Sequence, residues 1–243
     1  MVTAGSTLRS EPDYPFDFCG GQLAIDFTNT VGSRGGAPEE HLRTFGDLVA
    51  WAEARGVLPR AGAAHLRREA AERPTAARAA LGRALELREA LYRVIEAAAA
   101  TGRPAPADLA IVNAQVRETF SRMRLSGRRT RSVSENCEHA PANEDSRTDR
   151  PSSRGGSRRS FVTRLELTTE DAGTEYLADP ILTPVVRAAV ELLTSADITR
   201  VRTCADGACA WLFLDTTRSR TRRWCDMKSC GNRSKVRRFR AAR

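Results

Sequence analysis

The sequence lacks a long apolar run and has few aromatic residues and histidines. Among its 243 residues only 14 are aromatic and 3 are histidine. The longest apolar stretch, residues 184–193, is interrupted by Arg187 and Glu191, so no segment has the length that a bilayer-spanning helix needs. The first 15 residues place no apolar run behind a basic start, which is unlike a secretory signal. We therefore predict a cytoplasmic protein with no membrane partner.

Residue patterns that support catalysis are missing as well. His41, His65 and His139 are scattered along the chain. The sequence contains no His-x-x-x-His pair, no serine-centred nucleophile elbow and no phosphate-binding glycine loop. Because no base or nucleophile stands in a recognisable arrangement, we predict that the protein is not an enzyme.

Asp26 and Asn29 are polar residues in an otherwise apolar stretch near the N-terminus. Such residues most often cap a helix or form hydrogen bonds along one of its faces, and we favour this interpretation. The alternative is that both line a ligand pocket, through which a small-molecule or protein effector would act on the N-terminal part of the chain.

The basic charge is concentrated at one end of the chain. Residues 200–243 contain 13 Lys or Arg and 3 Asp, whereas the whole chain has a net charge of +9. The first 199 residues together therefore carry a net charge of −1. We expect a polyanion such as nucleic acid to bind at the last 44 residues.

Composition divides the chain into a tail, a helical domain and a basic module. Residues 1–15 are polar and are predicted to form a flexible N-terminal tail. Residues 16–196 contain the segments rich in Ala, Leu, Glu and Arg that are typical of packed helices. The basic module starts near Asp197, and we predict that residues 197–243 form a separate small domain.

Helix signals are clearest in the middle of the chain. Pro74 opens a run in which leucines recur at helical spacing, and Gly102 ends it. Thr44 is predicted to cap a shorter helix. Thr183 and Pro184 are predicted to be the cap and first turn of the last helix of the domain.

The segment 126–160 is rich in Ser, Arg and Gly and nearly devoid of apolar residues, which predicts a disordered insert. Residues 122–125 and 161–167 alternate polar and apolar side chains, which favours an antiparallel hairpin whose turn contains the insert. The alternative is a linker between domains. We predict an α+β fold, mainly α, with a helical domain, this small antiparallel hairpin and the C-terminal module.

Four of the six cysteines form two pairs with four residues inside each pair: Cys204 and Cys209, then Cys225 and Cys230. Zinc prefers four thiolate or imidazole ligands, and so short a segment has few core residues to fold around. We predict one structural zinc ion bound by these four cysteines. The alternatives are two unrelated pairs of buried or oxidised thiols, and a redox role. Cys19 is predicted to be a small core residue and Cys137 to lie in the insert, so neither is a predicted ligand.

These residues resemble a known family. The stretch from Cys204 to Asp215, followed by residues 222–235 with their Cys-Gly-Asn-Arg sequence, resembles the CGNR zinc finger. The N-terminal motif resembles the ABATE domain that usually precedes this finger: Phe18-x-Gly20-Gly21-x-Leu23-x-x-Asp26-Phe27-x-Asn29-Thr30. The resemblance implies a transcription regulator with a zinc-dependent DNA-binding C-terminus. One departure is Thr217-Arg218-Ser219, where the family often has Ser-Arg-Asn.

Two basic clusters are the candidates for nucleic-acid contact. They are Arg218, Arg220, Arg222 and Arg223 between the cysteine pairs, and Arg233, Lys235, Arg237 and Arg238 after the last cysteine. Helical spacing predicts that Val236 and Phe239 pack inward and leave a basic row facing DNA. Arg222 or Arg223 could instead be structural. The alternative functions are a zinc-stabilised protein-docking module and an RNA-binding module without sequence-specific DNA readout.

Overall fold

The computed structural model describes residues 16–131, 161–169 and 177–241 of the chain. This part contains seven α-helices and three two-stranded antiparallel sheets. It divides into two compact units: one is a hairpin within residues 122–171, and the other holds the seven helices and the C-terminal module. The predicted fold class, mainly helical with a small antiparallel hairpin, is confirmed. The predicted tail, residues 1–15, lies outside the described residues.

The helices are numbered in chain order: α1 (Leu23–Thr28), α2 (Phe45–Ala54), α3 (Arg60–Glu72), α4 (Pro74–Ala99), α5 (Pro106–Ser121), α6 (Asp179–Thr194) and α7 (Asn232–Ala241). The strands pair as three hairpins: β1 (Val31–Gly32) with β2 (Glu39–Glu40), β3 (Met123–Arg131) with β4 (Phe161–Thr169), and β5 (Val201–Thr203) with β6 (Leu212–Leu214). None of the described helices is both long enough and apolar enough to cross a membrane.

Caps and prolines explain where several helices begin. Thr44 caps α2 in a capping box with Asp47, as its position predicted. The prediction that α6 starts at Thr183 and Pro184 is wrong, because the helix begins at Asp179 and Pro184 lies inside it. Pro180 occupies the first turn instead, and the burial of the residues around it lengthens the helix beyond its sequence signal.

The core of the helical unit forms where α1 packs against α4 and α6. Phe27 of α1 and Trp51 of α2 lie 5.3 Å apart between ring centroids, and both side chains are fully buried. Leu212 and Leu214 of β6 belong to the same hydrophobic cluster as these helices. The C-terminal module therefore contributes directly to the core of the helical domain.

The β3–β4 hairpin is longer than its apolar alternation predicted. The register runs from the pair Met123 and Thr169 to the pair Arg131 and Phe161. Residues 126–131, predicted to belong to the disordered insert, are instead the last six of the nine residues of β3. Their polar composition hid the strand, because ladder hydrogen bonds between backbones do not require apolar side chains. The rest of the predicted insert, residues 132–160, lies outside the described residues.

Candidate metal centre and nucleic-acid interface

β5 and β6 position the first pair of cysteines. Cys204 follows β5 directly, and its backbone N–H donates to the Trp211 carbonyl at 2.8 Å, so strand pairing extends one step past the strands. Cys209 lies in the turn that joins the two strands, where its N–H donates to the Asp206 carbonyl at 2.8 Å. The hairpin thus presents both thiols from one short turn.

The second pair lies where the chain enters α7. Asp226 caps a single π-helical turn, Met227–Gly231, by accepting the Ser229 N–H on its carboxylate at 2.7 Å. Cys225 immediately precedes this cap, and Cys230 lies within the turn. Because α7 continues directly from the turn, its first residues are fixed relative to the cysteines.

The four sulfur atoms converge in one buried cluster. The Sγ atoms lie within 4.8 Å of one another. Cys225 Sγ is 3.6 Å from both Cys209 Sγ and Cys230 Sγ. Tetrahedral zinc with Zn–S bonds of about 2.3 Å places its sulfurs about 3.8 Å apart, whereas a disulfide needs about 2 Å. The cluster therefore fits a zinc ion, which confirms the four predicted ligands, and it does not fit oxidised pairs.

The electrostatics of the cluster call for a cation. Hydrogen bonding to Cys204 and burial raise the pKa of the Cys209 thiol to about 12. The pKa of the Cys225 thiol is also raised, first by its contact with the Cys19 thiol and then by the other cysteines and by burial. A divalent zinc ion supplies the positive charge that four buried thiolates require. With four protein ligands the metal shell is closed, so the zinc is structural.

Arg222, a predicted nucleic-acid contact, is half-buried and engaged with protein groups instead. Its guanidinium carbon lies 4.5 Å from the ring centroid of the fully buried Phe213. Its Nε donates to the Trp224 carbonyl at 3.0 Å, and its Nη2 donates to the carbonyls of Cys19, at 3.3 Å, and Cys225. These contacts therefore support the alternative that Arg222 has a structural role.

The other three arginines between the cysteine pairs are exposed. Arg218 and Arg220 lie on the loop after β6 and form no ion pair with another described residue. Arg223 is also exposed, and its guanidinium carbon lies 5.3 Å from the Trp224 ring centroid. These three side chains remain available for a polyanion.

Two arginines hold α7 against the first cysteine turn. Arg233 Nε and Arg237 Nη2 bind the carboxylate of Asp206 at 3.2 and 2.6 Å, and that carboxylate is 1% exposed. Burial alone would raise the pKa of Asp206, but Arg237 and Arg233 hold it below its usual value. Arg233 Nη2 also donates to Cys230 Sγ at 2.9 Å. Both residues thus support the metal site, although their guanidinium groups stay partly exposed.

The prediction that Val236 and Phe239 pack inward is wrong. They are 48% and 61% exposed, because the Arg233 and Arg237 row occupies the inner face of α7 to pair with a buried carboxylate. Lys235, Arg238 and Arg240 are exposed and form no ion pair with another described residue. The outer surface of α7 is therefore basic with two large apolar side chains among the charges.

Asp26 and Asn29 are fully engaged with protein groups. Asp26 accepts the Gly20 N–H at 2.9 Å and the Arg55 Nε–H at 2.7 Å, and burial raises its pKa although Arg55 opposes the shift. Asn29 donates to the Leu212 carbonyl at 2.8 Å and accepts the Leu212 N–H at 3.1 Å. The void that Asp26 and Asn29 line is too small for a water molecule. These contacts support the interpretation of Asp26 and Asn29 as hydrogen-bonding residues and not the alternative that they line a ligand pocket.

The finger is docked on the helical domain through hydrogen bonds to backbone groups, which no sequence pattern revealed. The side-chain amide of Asn29 bonds to both the N–H and the carbonyl of Leu212 in β6, as the backbone of a neighbouring strand would. Further bonds that join the two parts include Trp211 Nε1 to the Val31 carbonyl at 2.6 Å, Tyr92 Oη to the Ala210 carbonyl at 2.8 Å, and Leu214 N–H to the Gly20 carbonyl at 2.8 Å. The N-terminal motif from Phe18 to Thr30 therefore contacts the finger through Gly20 and Asn29, and Val31 and Tyr92 add contacts from outside the motif.

Gly35 is expected to tolerate no side chain at this junction. A Cβ atom there would lie 2.0 Å from the Gly207 carbonyl oxygen of the first cysteine turn. We expect Gly35→Ala to destabilise the protein by about 1–3 kcal/mol, measured by urea denaturation. Gly36→Ala is the matched control, because its Cβ would meet nothing closer than 3.4 Å. Equal stability of the two variants would contradict the docked arrangement.

The fold and the site together define a class of protein, a helical domain that carries a docked four-cysteine zinc module. Residues 21–196 match ABATE, a family described as "Putative stress-induced transcription regulator", and residues 200–243 match the CGNR zinc finger. Since the first match covers well over half of its residues, the chain belongs to the ABATE family. A comparison with curated proteins returned no match. The family supports a regulatory, zinc-binding role.

Proposed function

We propose that the protein is a non-enzymatic transcription regulator that binds DNA through α7 and the loop after β6. The observation that carries this proposal is the charge of α7, which has five Lys or Arg and no acidic residue between Asn232 and Ala241. Three of these side chains, Lys235, Arg238 and Arg240, are exposed and free of ion pairs with the other described residues. Such a surface is suited to DNA phosphates.

The zinc site supports this role by fixing the helix. Cys230 lies one turn before the exposed basic residues, and Arg233 ties the start of α7 to both Cys230 and Asp206. A helix held in this way can present Arg and Lys to a major groove, where Arg also recognises guanine edges. Arg218, Arg220 and Arg223 would add phosphate contacts from the loop.

The helical domain is then the part that receives a small-molecule or protein effector, because it contacts the finger at β6 and at the turn before it. DNA binding would place the protein with the nucleoid in the cytoplasm. Stacking of single-stranded RNA has less support, since Phe213 is fully buried and Trp211 and Trp224 pack against the cysteine cluster.

A protein-docking role is the second candidate, and one observation favours it. Val236 and Phe239 expose large apolar surfaces on α7, as protein-binding helices often do. An acidic partner with an apolar groove would fit the same face. Measurements of DNA binding distinguish the two roles.

Duplex DNA pools should be captured by the full-length protein, with an affinity that falls steeply as salt rises. Each phosphate contact contributes about −0.9 to the slope of log K against log salt. We expect Lys235→Glu and Arg238→Glu each to weaken binding and flatten this slope, because each reverses an exposed charge. Fluorescence anisotropy with the enriched duplex measures both quantities.

Arg103→Glu is the charge-matched control for these reversals, since Arg103 is an exposed residue of the helical domain far along the chain from α7. It should leave DNA binding unchanged. If no sequence is enriched and the α7 reversals bind DNA as the wild type does, DNA recognition by α7 is refuted and protein docking becomes the better account.

A further inference from the structure

A fifth cysteine lies beside the metal ligands. Cys19 precedes α1, is half-buried, and packs against the buried cluster that contains the four ligand cysteines. It is one of three partly buried side chains, with Trp211 and Trp224, that pack against this cluster. The sequence interpretation of Cys19 as a small core residue therefore missed its proximity to the metal site.

Arg222 holds the backbones of these two cysteines together. A single nitrogen, Nη2, donates to the carbonyl of Cys19 at 3.3 Å and to the carbonyl of Cys225. The stacking of Arg222 on the buried Phe213 ring fixes this nitrogen in place. Cys19 and Cys225, which are far apart in sequence, are thus held side by side at the backbone.

The four ligand sulfurs differ in the donors that they receive. Cys204 Sγ accepts the Cys225 N–H at 3.5 Å, and Cys230 Sγ accepts an N–H of Arg233 Nη2 at 2.9 Å. Among the described residues, none places an N–H donor on the sulfur of Cys225. Donors withdraw electron density from a thiolate, so Cys225 retains more of its negative charge than Cys204 and Cys230 do.

A cavity lies beside this sulfur. A cavity of about 380 Å³ is lined by Asp17, Cys225, Cys230 and Ser229, among others. Its volume is several times that of a water molecule, which takes up about 30 Å³ of liquid. Hydrogen peroxide is only slightly larger than water and fits the same space.

We propose that Cys225 and Cys19 form a redox pair that reacts with hydroperoxides and releases the zinc. The Cys225 thiolate attacks one peroxide oxygen, the O–O bond breaks, and hydroxide (or the alkoxide of an organic hydroperoxide) leaves, giving a sulfenic acid. The Cys19 sulfur then attacks the Cys225 sulfur, an S–S bond forms, and the sulfenic hydroxyl leaves as water with the Cys19 proton. The two sulfurs lose two electrons to the peroxide.

The reaction changes the metal site because it removes one of four ligands. Three cysteines form an incomplete shell for a structural zinc ion, so the metal is released as the disulfide forms. A dithiol reductant returns Cys225 to the thiolate, and the site can then take up zinc again. This proposal concerns the metal site and holds whether or not α7 binds DNA.

The test treats full-length, zinc-loaded protein with hydrogen peroxide and follows zinc with a colorimetric chelator. We expect zinc release to accompany a Cys19–Cys225 disulfide, identified by mass spectrometry of non-reduced peptides. Addition of dithiothreitol and zinc should restore the metal content. Cys19→Ser and Cys19→Ala should bind zinc normally but lose this reductant-dependent recovery, since Cys225 proceeds to sulfinic acid.

Cys137→Ser is the matched control, because Cys137 is the other cysteine outside the ligand set, and it should behave as the wild type does. The proposal is overturned if zinc stays bound in peroxide, or if the first disulfide joins two ligand cysteines and forms equally fast without Cys19. Peptide mapping of the wild type decides this even if the Cys19 variants fold poorly.

Discussion

Cys225→Ser is expected to lose the zinc ion and to unfold the C-terminal module, the largest effect of any single substitution in the chain. Structural zinc contributes about 10–16 kcal/mol of apparent binding free energy in small modules. Cys225 lies at the centre of the site, since its sulfur contacts those of Cys209 and Cys230 at 3.6 Å. Metal analysis should give one zinc per chain for the wild type and none for the variant.

The unfolding should spread into the helical domain, because Val201, Leu212 and Leu214 of the module belong to the core shared with α1 and α4. We expect faster amide exchange in α1 of Cys225→Ser, measured by hydrogen–deuterium exchange. Cys137→Ser serves as the control for removal of a cysteine. A variant that retains full zinc, or an α1 whose exchange is unchanged after zinc is lost, would contradict this account.

Asn29→Ala should have the second-largest effect, although the residue contacts neither metal nor ligand. Its side chain satisfies both the N–H and the carbonyl of Leu212, and Asn29 is 2% exposed. Removing it leaves two backbone groups without partners at a buried junction, each at a cost of about 1–3 kcal/mol. We expect a loss of about 2–4 kcal/mol in the free energy of unfolding, measured by urea denaturation.

Asn113→Ala is the control, because Asn113 is an exposed asparagine of α5 and its loss should cost less than about 0.5 kcal/mol. Asn29→Asp separates shape from hydrogen bonding, since it keeps the size and the acceptor but loses the donor to the Leu212 carbonyl. It should therefore be destabilised as well. If Asn29→Ala is as stable as the wild type, the amide does not anchor the finger.

The metal ligands and most helices could be predicted because their signals are local. Two cysteines five positions apart can share one turn, and the Thr44 cap or the proline at the start of α4 acts within a few residues. The chemistry of zinc then demands four such ligands. Local signals fail only where packing overrides them, as at the start of α6.

The docking of the finger could not be predicted because it depends on groups far apart in the sequence. Nothing near Arg222 indicates that its guanidinium stacks on Phe213 and bonds to Cys19. Likewise, helical spacing favoured Val236 and Phe239 for the inner face of α7. A single sequence does not show that the buried carboxylate of Asp206 lies against that face and binds two arginines. The ion pairs with Asp206, and not the spacing of the apolar residues, determine which face of α7 lies inward.

The bond between Asn29 and Leu212 also has a consequence for synthesis on the ribosome. The two residues are separated by 183 positions in the chain. At the usual elongation rates, Leu212 emerges about ten to forty seconds after Asn29. During that interval the side-chain amide of Asn29, which lies at the C-terminal end of α1, has no β6 strand to bind. The N-terminal domain therefore completes its fold only when the last part of the chain has been made, and a truncated product leaves the junction open.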